Sequence, residues 1–177
     1  MKQEIIMAGF GGQGVMSMGM LLAYAGMMEG KEVSWMPSYG PEMRGGTANC
    51  TVIVSDKRIA SPVIPNPDTS IVMNLPSLDK FEPMIKSGGL LIINSSLIEK
   101  ESNRTDIGII KVPCNEIANE LGNSKVANMV ALGAYVQKTG ILPLDAIRKA
   151  LKKVFAGKEK LIPLNETALQ RGADLVK

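Results

Sequence analysis

The stretch EIIMAGFGGQGVMSMGMLLAYAGMM, residues 4–28, decides how this chain folds. Glu4 to Ala8 is a short apolar run stopped by glycine, which by length and flanks reads as a buried strand. Gly9-Phe10-Gly11-Gly12-Gln13-Gly14 follows, a G-x-G-x-x-G loop. Val15 to Met28 then reads as a helix. Met16, Met20, Ala23 and Met27 recur at spacings of three and four, and Gly30 sits where a C-cap is expected. Val33 to Met36 is a second strand, ended by Pro37. Strand, glycine loop, helix and strand make the opening βαβ unit of an α/β chain: a Rossmann-like, doubly wound, mostly parallel sheet.

Glycines in such a loop let the backbone turn tightly and approach a ligand, while the amides of the following helix point at an anion, most often phosphate. A nicotinamide site needs one feature more, an acidic residue at the end of the second strand to hold the ribose. Trp35-Met36-Pro37-Ser38 stands there instead, and Glu32 begins that strand, far from the crevice. The loop therefore predicts an anion site and argues against NAD or NADP. The alternative is that the glycines only let the helix pack close to the sheet.

A second loop, residues 37–47, follows the second strand and belongs at the carboxyl edge, where ligands bind in open α/β sheets. Arg44 is its lone cation, flanked by Gly45 and Gly46, with Glu42 placed to pair with it or orient it. Such flanks let amides and a guanidinium converge on one anion. A solvated ion pair is the plainer reading. Asn128, in the first turn of an apolar helix, could reach the crevice or satisfy backbone groups nearby.

The rest of the chain continues the α/β pattern with a β-rich insertion. Asn49 to Ser55 alternates as a strand, Lys57 and Arg58 mark a turn, and Ile59 to Val63 could return as its hairpin partner. Thr69–Met73, Gly89–Asn94 and Ile107–Val112 read as further strands. Helices are predicted over Ser77–Ile85 with Ser77 as N-cap, Asn115–Leu121, Lys125–Thr139 with Gly133 at a close-packing position, and Leu144–Phe155. A last helix, Glu166–Val176, is a candidate for docking on a partner. Ser95 to Asp106 is the loop polar enough to be mobile. One domain over residues 1–177 accounts for the length.

Composition excludes several chemistries. The 177 residues contain no histidine, so no imidazole base and no His metal site can come from them. The two cysteines, Cys50 and Cys114, lie far apart and cannot by themselves hold an iron–sulfur cluster or a structural zinc. They read as buried structural thiols. Net charge is +3 with both signs mixed; Lys149, Lys152 and Lys153 make only a small basic face, so no nucleic-acid partner is expected. No apolar run reaches the ~18 residues of a membrane span, and no signal peptide is evident, so a cytoplasmic protein without a membrane partner is expected.

AGFGGQGV (residues 8–15), PSYGPEMRGGTANCTV (37–52), PSL and KF (76–81) and NMVALG (128–133) together resemble the gamma subunit of 2-oxoacid:ferredoxin oxidoreductases. The resemblance spans nearly the whole chain. The form YGPEMRGGTANC, Tyr39 to Cys50, is most similar to the 2-oxoglutarate and branched-chain members. It implies an accessory subunit, inactive alone, of a complex that converts a 2-oxoacid and coenzyme A to acyl-CoA, CO2 and reduced ferredoxin. It also implies alpha, beta and ferredoxin-like partner subunits that carry thiamine diphosphate, magnesium and iron–sulfur clusters, none of them bound by this chain. Coenzyme A is the expected ligand contact, its pyrophosphate held by the glycine loop. The expected binding set is Gly9, Gly11, Gly12, Gln13, Gly14, Tyr39, Glu42, Arg44, Gly45, Gly46 and Asn128, with no catalytic residue. The expected substrate is 2-oxoglutarate, with branched-chain 2-oxoacids or pyruvate as alternatives. A purely structural docking subunit and a free-standing nucleotide-dependent oxidoreductase are the competing readings; the missing ribose carboxylate and the missing histidine weigh against the second.

Overall fold

A computed structural model of the chain describes residues 1–38 and 47–177. Strand β1 (Lys2–Phe10) leads through the glycine loop into helix α1 (Val15–Met28), then β2 (Glu32–Ser38) and β3 (Thr47–Ser55). β4 (Thr69–Val72), α2 (Leu75–Phe81), β5 (Leu90–Asn94) and β6 (Gly108–Val112) follow. Helices α3 (Cys114–Glu120), α4 (Ala127–Thr139), α5 (Leu144–Val154) and α6 (Ile162–Asp174) complete the chain. The strands form one sheet in the order β2-β3-β1-β4-β5-β6. β1, β4, β5 and β6 are mutually parallel neighbours, and β3 runs antiparallel to both β1 and β2.

The opening unit is thus not a pair of adjacent parallel strands. β3 is inserted between β1 and β2, and the hairpin is β2–β3 rather than Asn49–Ser55 with Ile59–Val63. Residues 59–63 form no strand. Pro62 lies in that segment and Pro65 and Pro67 just beyond it, and proline cannot donate to a ladder. Pro37 instead lies inside β2, opposite Cys50. An edge strand tolerates it because its outward side has no partner to lose.

Alternation along the central strands feeds two cores. Ile5 and Met7 of β1 face a large cluster shared with α1 and α3 to α6; Ile6 and Ala8 face a smaller one built with Leu78 and Phe81 of α2. β4 is buried on both faces, as a central parallel strand must be. Asn74, not Ser77, caps α2: its side chain accepts the Ser77 amide at 3.0 Å. The Met16–Met20–Ala23–Met27 stripe is not the main buried face of α1. Met18, Leu21, Leu22 and Ala25 are, while Met20, Ala23 and Met27 line an apolar groove of about 360 Å³ with Tyr24, Val33 and Trp35.

The chain's last helix packs on its own fold. Gly133 of α4 and Gly172 of α6 face each other so closely that a β-carbon on either would overlap the other helix's backbone, at the Leu169 and Val130 carbonyls respectively. Ser95 to Asp106 is tied down as well. The Arg104 guanidinium donates to the carbonyls of Glu82 at 2.9 Å and Ile85 at 3.1 Å, and Ile98 is buried.

Candidate functional site

β1 ends at Phe10, so the loop Gly11–Gly14 emerges at the carboxyl edge of the parallel strands. Gly12 and Gly14 have positive φ, 92° and 73°. Gly14 is the N-cap of α1, and among the described residues no side chain caps that helix end. The Gln13 amide donates to the Phe10 carbonyl at 3.1 Å, closing the turn. The Gln13 side chain folds back into it: Oε1 accepts the Phe10 amide at 2.6 Å and Nε2 donates to the Met73 carbonyl at 3.3 Å. One side chain therefore bridges the ends of β1 and β4.

The predicted residues divide into two groups. Gly9, Gln13, Gly14 and Asn128 build the loop. A β-carbon on Gly9 would stand 2.5 Å from Gln13 Oε1 and 2.9 Å from Met73 Cβ, so Gly9 is a packing residue. Asn128 reaches across from α4, donating from Nδ2 to the Gly14 carbonyl at 3.0 Å, while its Oδ1 accepts the Met129 amide at 2.9 Å. Asn128 thus satisfies backbone groups. Gly11 and Gly12 are the exposed part of the loop, and no atom of the described residues lies within 4 Å of where a Gly12 β-carbon would be. Tyr39, Glu42, Arg44, Gly45 and Gly46 lie outside the described residues. The flanks of their segment are placed: Ser38 pairs with Asn49, and Thr47 pairs with Phe10 beside the glycine loop.

Across the loop from β3, a network of amides organises the ends of β4 and β5. Asn94 Oδ1 accepts the Cys114 amide at 3.2 Å, which fixes the direction of its side chain. Asn94 Nδ2 then donates to the Met73 carbonyl at 3.3 Å and to Asn115 Oδ1 at 2.8 Å. Asn115 in turn lines a cavity of about 170 Å³ with Gly12, Gln13, Met73, Ser124, Lys125 and Ala127. Lys125 follows Asn123, whose Oδ1 accepts the Lys125 amide at 3.0 Å. Sequence reading missed Lys125 and Asn115. Neither belongs to the glycine motif, and only the fold brings them to it. The Asn-x-Lys turn before an apolar helix was the one available signal.

Two further cavities meet at the same loop. One, of about 210 Å³, lies toward β3 and is lined by Phe10, Gly11, Gly12, Gly14, Val15, Met16 and Ala48. Another, of about 220 Å³, involves Gly14, Ser17, Lys125, Asn128 and Asn165. Beneath the loop, the Cys50 thiol donates to the Val15 carbonyl at 3.4 Å. Burial pushes both Cys50 and Cys114 up to about 12, so both stay protonated thiols at neutral pH. Among the described residues, no helix is long and apolar enough to cross a membrane.

The family model for pyruvate ferredoxin/flavodoxin oxidoreductase matches residues 4–175. Ketoisovalerate oxidoreductase subunit VorA from Methanothermobacter marburgensis is 42% identical over 173 residues, 97% of this chain. The chain spans only 36% of that relative's length. The gamma subunit of a keto/oxoacid ferredoxin oxidoreductase from Geobacter sulfurreducens superposes with a TM-score of 0.87 at 31% identity, over 98% of this chain and 95% of that one. The 2-oxoglutarate:ferredoxin oxidoreductase from Magnetococcus marinus, solved with 2-oxoglutarate, coenzyme A and succinyl-CoA bound, gives a TM-score of 0.90 at 25% identity. There the match covers 99% of this chain and 31% of the other.

Proposed function

Because the chain belongs to the pyruvate ferredoxin/flavodoxin oxidoreductase family, as a gamma-type domain, we propose that it is a non-catalytic part of a cytoplasmic 2-oxoacid:ferredoxin oxidoreductase and helps form its coenzyme A site. Partner subunits of alpha, beta and ferredoxin-like type would carry thiamine diphosphate, magnesium and the iron–sulfur clusters. Thiamine diphosphate supplies the decarboxylation chemistry, and the clusters take the electrons. This chain's residues bind and orient: they carry neither a histidine base nor a cysteine set for a cluster.

The observation that carries the reading is the exposed Gly11–Gly12 backbone ahead of an α1 that no side chain of the described residues caps, at the carboxyl edge beside β4. Positive-φ glycines let that backbone approach an anion, and the helix end favours negative charge there. The bound coenzyme A of the Magnetococcus relative supports the same ligand class. Arg44, with Tyr39, Glu42, Gly45 and Gly46, is proposed as the opposing wall, reaching a phosphate or the 2-oxoacid carboxylate. For the substrate, 2-oxoglutarate is the first reading, although the Tyr39–Cys50 motif is shared by 2-oxoglutarate and branched-chain members. A branched-chain 2-oxoacid is the second reading, favoured by the 42% identity to the ketoisovalerate relative.

The test is reconstitution. The assembled complex is expected to reduce ferredoxin with a 2-oxoacid only when coenzyme A is present, and comparison of kcat/KM among 2-oxoglutarate, 3-methyl-2-oxobutanoate and pyruvate ranks the substrates. The chain by itself, given thiamine diphosphate and an artificial acceptor, is expected to be inert. Turnover by the isolated chain overturns the accessory role. Arg44→Ala is expected to raise one Michaelis constant by about ten- to a hundredfold, the loss of a charge-assisted contact, and the substrate affected identifies what Arg44 meets.

A further inference from the structure

We propose that the groove between α1 and the edge strand β2 seats a helix of a partner subunit of the oxidoreductase, apolar on the face it buries and acidic along one flank. The proposal rests on the multi-subunit reading above for the existence of such a partner, and on this chain's own surface for where and how it sits.

The sequence of α1 asks for cover on more than one side. Its 14 residues, VMSMGMLLAYAGMM, include no charged side chain. A helix apolar all round is a buried helix. Yet the fold covers only one face, through Met18, Leu21, Leu22 and Ala25. The other face forms the groove of about 360 Å³, lined by Met20, Ala23, Tyr24, Met27, Val33 and Trp35. Met27 is 59% exposed, and the other lining residues except Ala23 are half-buried. Methionines suit such a surface, because flexible thioethers adapt to whatever is inserted. In the Methanothermobacter and Magnetococcus relatives the matching region is 36% and 31% of a longer chain, so this fold is there covalently tied to further sequence. Lasting interfaces are the more apolar ones.

Shape selects a helix over an added strand. β2 has β3 as its one strand neighbour among the described residues, but Pro37 interrupts its outer edge and has no amide hydrogen to give. Met20 and Met27 stand about 10 Å apart along α1 at 1.5 Å per residue. That is two turns, the span of i, i+4 and i+7 anchors on a docked helix.

Charge sets the flank. Lys153 of α5 holds its Nζ 5.8 Å from the centre of the Tyr24 ring, which puts an ammonium at the rim of the groove. Lys149 lies one turn away on the same face of α5, with Lys152 beside them, and all three are exposed. Lys149 pairs with Asp145 at 3.4 Å, whereas Lys152 and Lys153 form no ion pair among the described residues. Glu29 and Glu32 stand at the α1–β2 turn, outside the groove lining. A helix with an apolar centre and carboxylates on its α5 side is complementary to this surface.

The experiment is reconstitution from separately purified subunits, with this chain carrying fluorotryptophan at Trp35, its one tryptophan. Assembly is expected to move the fluorine resonance as water leaves the groove. Met27→Asp should weaken association by about tenfold or more. Val63→Asp, at another exposed apolar residue that lines no part of the groove, should stay within about twofold of the parent. Lys152→Glu/Lys153→Glu should weaken association by about tenfold at low salt and by less at high salt. Lys153→Arg should match the parent. All these positions are exposed, so melting temperatures should be kept. If the complex forms with the resonance unmoved, the groove is not the docking site although the complex reading stands. If charge reversal leaves association unchanged at every salt concentration, the occupant is not acidic and the proposal falls. If the resonance moves with the concentration of this chain alone, the occupant is a second copy and the proposal falls. If the unaltered chain joins none of the alpha, beta and ferredoxin-like subunits, the complex reading falls and takes the proposed occupant with it.

Discussion

Glycines do opposite jobs in two regions of this molecule. In the loop, a β-carbon on Gly12 would meet none of the described residues, and the glycine is required by its backbone, with φ at 92°. At the α4–α6 crossing, Gly133 and Gly172 sit in ordinary helical backbone and are required by contact, since each lies against the carbonyl of the other helix. Gly14 belongs to both kinds, with φ at 73° and Asn128 against the place a β-carbon would take. The residue type is the same, but the physical cause differs, and so must the cost of replacing it.

The crossing should be the most sensitive. Gly133→Ala forces α4 and α6 apart along their whole contact, because the obstacle is backbone and cannot rotate away. Overpacking a close-packed core costs typically about 1–3 kcal/mol and sometimes more; a backbone clash places this variant at the upper end or beyond. Chemical denaturation should show it as the largest loss of the set. Gly172→Ala should cost a similar amount, and the double variant less than the sum, since once the helices part both β-carbons have room. Strict additivity would break the account of one shared contact.

Gly14→Ala should come next, and it can be taken apart. The variant suffers left-handed strain of about 1–2 kcal/mol plus the collision with Asn128. Asn128→Ala alone loses the bonds to the Gly14 carbonyl and from the Met129 amide, about 1 kcal/mol for each hydrogen bond. In Gly14→Ala/Asn128→Ala the collision is gone and the strain remains. The double variant should therefore be more stable than additivity predicts. Gly12→Ala isolates the strain by itself: a loss of about 1–2 kcal/mol, or a few degrees in Tm for a chain of this size. Gly12→Asn should lose less, because asparagine tolerates the left-handed region. If Gly12→Ala proved as damaging as Gly133→Ala, the distinction between conformation and contact would fail.

These differences also mark what the sequence could tell. The glycine motif, its helix and the apolar strands were legible because period and punctuation are local. Gly133 was legible as a packing position, whereas Gly172 was not, because its partner lies in another helix. The insertion of β3 between β1 and β2 was hidden for the same reason. A strand's neighbours are chosen by the whole sheet, and Pro37 was read as a stop when it marked an edge. Half of the candidate site followed the motif. The other half, Asn115 and Lys125, reaches the loop only through the ends of β5 and β6 and the turn before α4. Helical spacing likewise found the methionine stripe of α1 but could not say which face the sheet would cover.

The smallest effect expected is on the two thiols, and it separates the regions by mobility. Cys50 sits under the start of α1 with its thiol on the Val15 carbonyl, while Cys114 opens α3 in the main core. Burial holds both up to about 12, against roughly 8.5 for an exposed cysteine. At pH 8 neither should react with an alkylating reagent until the chain opens, since the thiolate is the nucleophile. The sign of the pH dependence follows. Above about pH 8.5 the unfolded chain gives up thiol protons that the folded chain keeps, so the unfolded state binds fewer protons and stability falls as pH rises toward 12. Cys50→Ser and Cys114→Ser variants should each flatten that alkaline decline. The comparison between regions is then read by labelling. Gly12→Ala and Gly14→Ala loosen the loop above Cys50 and should speed its alkylation selectively, whereas Gly133→Ala should speed both thiols through global opening. If the loop variants label Cys50 and Cys114 at equally raised rates, the loop does not open as a unit of its own, and the two glycine regions share one cooperative fold.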